Sequence, residues 1–303
     1  MPTRTYYEVK PPKAAPCDIH CITIESNKSA YAFEYEVPAM TVIDVHAHIY
    51  PEKIASKAVD AIGSFYSTSM YGKGTSEHLL SSMESSPITN FVVHSVATNA
   101  RSVESINDFI ASECAQHPEF TGFMAMHQDY ADPEKEIERA VELGLKGMKI
   151  HPDTQEVNLD DPRLMRVYEM IQGRLPIIIH MGDYRHDFSH PRRLKNVLHA
   201  FPDLVVDAAH FGGWSMPEVA YDLLGEERCF IDMSSSMFWL GKRRTKELCK
   251  LYGTDRVLFG SDFPMWDPVS EYNAFTSIDF SDNELEDMLW HNAERFLGSA
   301  VNG

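Results

Sequence analysis

The rhythm of apolar and polar positions changes near Met40, and that change divides the chain in two. Before it, residues 1–16 are polar and proline-bearing, a loosely held arm, and the β-rich runs CDIHCITIE and AYAFEYEVP flank the turn SNKS. These runs predict a two-stranded hairpin, which needs a surface to lie on because an isolated hairpin is marginal in water. After Met40, short apolar runs ending in polar residues alternate with segments of helical period, the signature of βα units around a parallel sheet. Eight runs stand out as strands: TVIDVHAH, ITNFVVHSVA, FTGFMAMHQD, KGMKIHP, PIIIHMGD, LVVDAAHFGG, CFIDMSS and VLFGSDFP. Between them lie helical segments such as DPEKEIERAVELG and DPRLMRVYEMIQG, with Asp openers and Gly closers. A last helix, DNELEDMLWHNAERFLG, follows the eighth strand. Eight such repeats match a closed (β/α)8 TIM barrel. An open doubly wound sheet would leave two edges, and no GxGxxG follows the first strand to support it. The expected architecture is therefore α/β: an arm and β-hairpin over residues 1–40 and a (β/α)8 barrel over 41–303.

Composition narrows the partners. Lys plus Arg number 27 against 45 Asp plus Glu, a formal charge of -18. A field of that sign repels phosphate backbones and anionic membrane surfaces, so nucleic acid and membranes are not expected partners. A local cation would still hold an anionic small molecule. The five cysteines (Cys17, Cys21, Cys114, Cys229, Cys249) are scattered and form no CxxC pair, which predicts reduced thiols. The first residues carry no apolar core of signal-peptide length, and no stretch approaches a membrane span. A cytoplasmic protein is expected.

Chemistry enters with the polar residues at strand ends. In a barrel, residues two apart on a strand share a face, and C-terminal strand ends surround the active-site mouth. His46 and His48 satisfy that spacing at the end of the first strand, with Asp44 in phase below them. His94 and His127 fall late in the second and third strands; His151 ends the fourth with Lys149 in phase; His180, His210 and Asp262 end the fifth, sixth and eighth. An apolar strand has no packing reason to end in imidazole. Several converging on one mouth point to a metal, and imidazoles with a carboxylate suit zinc, with manganese or iron as alternatives.

The motifs IDVHAHIYP, GMKIHPD, PIIIHMGD, AAHFGGW, GSDFP and the closing NAERFL together resemble the amidohydrolase superfamily, in the branch called amidohydrolase-2. That branch includes aminocarboxymuconate semialdehyde decarboxylase, resorcylate-type decarboxylases and several hydrolases. The resemblance implies that His46, His48, His180 and Asp262 surround one divalent metal, with His210 beside it to hold or polarise a reacting oxygen. It further implies that Asp262 takes and returns a proton. Binuclear members use a carboxylated strand-four lysine; Lys149 stands on that strand, but His151 is nearer the mouth, and one metal is the expectation. The alternative for Lys149 is a lysine deeper in the barrel, paired with an acid such as Asp44.

The expected reaction is hydrolysis of a small carboxylated or cyclic substrate, such as a lactone or amide, by metal-activated water; the alternative is non-oxidative decarboxylation of a small aromatic or muconate-type acid. A ligand-binding barrel without catalysis is the non-enzymatic reading. His151, Arg185 and Trp214 are candidate substrate contacts, Arg185 as a bidentate partner for a carboxylate. The resemblance also makes a homodimer a candidate assembly.

Overall fold

A computed structural model describes residues 41–298, so the predicted arm and hairpin lie outside the described residues. Eight parallel strands follow one another: β1 (Ile43–His48), β2 (Asn90–His94), β3 (Phe120–Ala125), β4 (Gly147–Ile150), β5 (Ile177–Ile179), β6 (Val206–Ala208), β7 (Ile231–Asp232) and β8 (Val257–Leu258). β1 to β6 form one ladder and β7–β8 another. Backbone bonds join them into a ring. Ala208 N donates to Phe230 O at 2.9 Å, bridging β6 to β7, and Val45 N donates to Phe259 O at 3.0 Å, bridging β1 to β8. The TIM-barrel expectation holds, and the ring leaves no open edge.

Strand alternation sorts the core. Phe91, Val93, Met148, Ile150, Ile177, Ile179, Val206 and Ala208 belong to the large cluster shared with the helices. Val92, Phe123, Ile178 and Leu258 pack in a separate cluster with Phe296 and Leu297 of the final helix. The Asp-Pro openers behave as their chemistry requires. Asp132 and Asp161 cap the helices Pro133–Glu142 and Pro162–Ile171, accepting from Lys135 N and Arg163 N, with proline at the first helical position. Among the described residues no helix is long and apolar enough to cross a membrane.

Two departures from the expected pattern bear on the site. Ile43 and Val45 pack in the same cluster as Val92 and Phe123, so Asp44 between them points to the opposite face. The register shifts between Asp44 and Ala47, and this bulge resets the alternation so that His46 and His48 reach the mouth. Asp44 is therefore out of phase with the two histidines, and its Oδ1 accepts from His46 N at 3.0 Å and Ser261 N at 2.9 Å. The last helix is also not continuous. Asp287–His291 is a π-turn between Asp282–Glu286 and Asn292–Leu297. The widened turn accommodates a bond from outside the helix: Met288 O accepts from Phe259 N at 3.0 Å, directly after β8.

Candidate active site

β1 delivers the pair singled out by its spacing. His46 Nε2 and His48 Nε2 each lie 3.5 Å from Asp262 Oδ1. With His151 and His180 these residues line one narrow cavity, walled on the apolar side by Ile62, Met70 and Met265. His151, His180, His210 and Asp262 stand just past the paired ends of their strands. Here the backbone turns sharply: φ is 62° at His210, 52° at Ser235 and 59° at Asp262. Left-handed backbone at a residue with a side chain costs about 1–3 kcal/mol and persists only where surroundings enforce it. Asp262 N donates to His46 O at 2.8 Å, and His210 N to Asp232 Oδ1 at 3.0 Å.

Proton positions follow from partners that can only accept or only donate. Ser234 O lies 3.0 Å from His210 Nδ1, so that nitrogen carries the hydrogen and Nε2 is the acceptor. His180 Nδ1, 2.9 Å from that Nε2, therefore donates, which leaves the lone pair on His180 Nε2. The Tyr66 hydroxyl donates to this lone pair at 3.1 Å and accepts from His151 Nε2 at 2.9 Å. His151 Nδ1 in turn accepts from Thr154 N at 3.3 Å. The His151 and His180 rings stack with centroids 3.8 Å apart. On the other side, Asp232 Oδ2 accepts from His46 Nδ1 at 2.6 Å, so His46 Nε2 holds its lone pair toward Lys149 Nζ at 2.9 Å.

Burial keeps four of these imidazoles neutral; cationic neighbours add to the effect at His48, His151 and His180, while the Asp262 and Asp232 carboxylates oppose it at His210. His48, His151 and His180 are driven well below the ordinary histidine range, and His210 down to about 4. Burial also pulls the Lys149 ammonium below its usual range. For Asp232 burial works the other way, but His46 and the His210 amide outweigh it and hold the carboxyl below its usual range. Lys149 meets His46 rather than Asp44, which corrects the pairing considered from sequence.

The two β1 histidines and Asp262 fit a divalent cation. Metal–nitrogen and metal–oxygen bonds of ~2.1 Å at a tetrahedral angle separate adjacent ligand atoms by about 3.4 Å, close to the 3.5 Å from Asp262 Oδ1 to each Nε2 of the β1 pair. A metal-binding histidine ordinarily gives its other N–H to a carboxylate, carbonyl or similar acceptor. His46 does so to Asp232, and His180 to His210.

The amidohydrolase family model matches residues 43–299. The chain belongs to the amidohydrolase family. It sits in the amidohydrolase-2 branch, as its motifs suggested. A 2-amino-3-carboxymuconate-6-semialdehyde decarboxylase of Dictyostelium discoideum is 26% identical over 241 residues, 65% of this chain and 66% of that protein. The match thus spans just under two thirds of the relative's length. An uncharacterised TIM-barrel protein from Bordetella bronchiseptica superposes with a TM-score of 0.68 at 18% identity, over 87% of this chain and 100% of its own. A dihydroxybenzoic acid decarboxylase from Polaromonas, solved with manganese and 2-nitroresorcinol, gives 0.65 at 15% identity over 85% of this chain and 96% of its own. These two structures share the barrel fold with this amidohydrolase.

The remaining residues of interest divide by position. The Arg185 guanidinium is bidentate on Asp183, at 2.9 Å from Oδ1 and 2.6 Å from Oδ2, and donates to Phe65 O at 2.7 Å. It lies over the Phe65 and Tyr66 rings. Trp214 packs on Tyr66 with centroids 4.9 Å apart. Arg185 and Trp214 thus flank the tyrosine that closes the cavity. Tyr66, at the end of helix Glu52–Tyr66, carried no sequence signal, because a helical tyrosine reads as packing. Asp232 did carry one: an acid inside the apolar run CFIDMSS has the same oddity as a strand histidine. Asp262 is further held by the Ser235 hydroxyl, which also accepts from Trp266 Nε1 at 2.8 Å.

Proposed function

We propose that this amidohydrolase is a metal-dependent enzyme for a small carboxylated substrate, with His46, His48, His180 and Asp262 holding one divalent cation, and that it carries out non-oxidative decarboxylation. The convergence of two β1 imidazoles on Asp262 Oδ1, inside a buried cavity, carries the metal-dependent reading. Similarity to a semialdehyde decarboxylase supports the reaction. When bound, the cation supplies Lewis acidity and a fixed positive charge. Zinc, manganese and iron all suit the donor set, and manganese is the ion in the Polaromonas decarboxylase.

The chain's own residues supply the remainder. Lys149 adds positive charge beneath His46 and favours an anionic substrate. His151 and Tyr66 form the wall against which a small planar body rests, and Trp214 backs Tyr66. Asp262 delivers a proton to the carbon bearing the carboxylate. The C–C bond to that carboxylate then breaks, its electron pair restores the π system, and CO₂ departs; solvent returns the proton to Asp262.

Hydrolysis is the second reading, favoured by the position of Asp262 Oδ1 between both imidazoles, where a base for water would stand. Asp262 would then take the proton of the attacking water and pass it to the leaving group, with His210 beside the developing charge. A panel of hydroxybenzoates, muconate-type acids and lactones separates the two, read as CO₂ release against ring opening. Metal-replete protein should release CO₂; ring opening alone would replace the first reading with the second. Protein purified without chelator should carry close to one equivalent of metal, and the absence of any would sink both. His180→Ala and Asp262→Ala should abolish turnover while leaving a cooperative thermal transition.

A further inference from the structure

β2 ends in a histidine that no step above uses. His94 is completely buried, and neither of its ring nitrogens has a hydrogen-bond partner. Leaving a buried polar group without a partner costs about 1–3 kcal/mol, so a native site retains one where something else satisfies it. The neighbouring His48 Nδ1 is likewise buried without a partner. The His94 ring stands edge-on to His48, with centroids 4.4 Å apart at 88°, and 5.1 Å from the centroid of His46. His94 is the register partner of His48 across the β1–β2 ladder. One ligand atom from each of His46, His48 and His94 lies within 4.8 Å of the other two.

We infer that His94 is a further ligand of the metal centre, joining His46 and His48 as a three-imidazole face contributed by β1 and β2. The inference rests on the metal-dependent reading above and adds one residue to it. It gives one of the two unpartnered nitrogens of His94 a bonding partner and accounts for an imidazole at the end of a strand packed on both faces. It also gives the centre a ligand excess over His46, His48, His180 and Asp262, which favours an ion that accepts five ligands over a strictly tetrahedral one.

The test uses cobalt(II) as probe on full-length protein stripped with chelator and reloaded. Affinity is read by competition with a chromophoric chelator, and geometry by the visible d–d bands. His94→Phe keeps the ring volume without a donor, and His94→Gln keeps polarity. Both should weaken cobalt binding by about 10–100-fold or more, the range typical of losing even an outer-shell partner, and shift the d–d bands. The chelated variants should melt like chelated wild type. X-ray absorption on wild type alone should count four coordinated imidazoles rather than three, which settles the question even if a variant fails to fold. Wild-type affinity and bands in His94→Phe, or three imidazoles in wild type, would overturn the role of His94 while leaving the metal-dependent reading intact. No cobalt binding by wild type would remove both.

Discussion

Asp232 accepts from His46 Nδ1, His210 N, Ser234 N and the Ser234 hydroxyl, the last two at 3.0 and 2.5 Å. It therefore sets the tautomer of one candidate ligand, His46, and fixes the backbone turn at His210. Asp232→Asn should cost about 2–3 kcal/mol in urea denaturation, the range for a buried charge-assisted bond. It should also weaken metal binding by about 10–100-fold; an unchanged metal affinity would remove Asp232 from an orienting role. Glu271 makes a different residue-level statement. Burial, then the nearby carboxylates of Asp44, Asp262 and Asp267, push it from 4.5 up to about 7. Between those values the folded carboxyl keeps a proton that the unfolded one has lost, so its contribution is full below pH 4.5 and fades as pH rises to 7. On chelated protein, Glu271→Gln should gain stability over wild type across that window and hold the gain above it. A gap that stays constant with pH would show that Glu271 titrates normally.

At the scale of elements, the turns after β5 and β6 must touch for His180 and Trp214 to share the mouth. Trp214 N donates to Met181 O at 2.8 Å, and Ser215 N to Gly182 O at 3.0 Å. Gly182 has φ +72°, and a side chain there would begin 2.3 Å from Gly213 Cα. Gly182→Ala combines left-handed strain with overpacking, so a loss of about 2–5 kcal/mol is expected in thermal or urea unfolding. Metal affinity should fall with it, because Met181 adjoins His180. A fully stable variant would mean that the two loops part without consequence. Boundaries of this kind were the least legible part of the chain. Pattern reading found all eight strands and the Asp-Pro helix starts, but it ran β1 as a uniform alternation and the last helix as a single run. The bulge and the π-turn are answers to neighbouring strands, which a local window does not contain.

For the whole molecule, the decisive feature is closure of the ring by β1 with β8, which brings Asp262 to His46 and His48 across 214 and more residues of chain. The opposite end is plugged by Phe296, packed near the Phe123 and Phe230 rings at 6.1 and 5.6 Å. Phe296→Ala should cost about 3–5 kcal/mol in urea and leave the metal stoichiometry of the folded fraction unchanged, because the plug lies away from the mouth. Loss of metal without loss of stability would contradict that separation.

The amino-acid order alone determined the periodicity, the number of βα units and the placement of imidazoles at strand ends, because each follows from near neighbours in the chain. It also made Asp262 a candidate, through its position on the last strand. Only the tertiary structure decided which nitrogen each histidine presents, since that depends on Asp232, Ser234 and Tyr66 arriving from distant turns. It alone showed Arg185 closed onto Asp183 beside Tyr66, and it alone gave His94 a neighbourhood without a partner. Hydrogen-bond satisfaction is a property of the assembled surroundings, and no spacing along the chain encodes it.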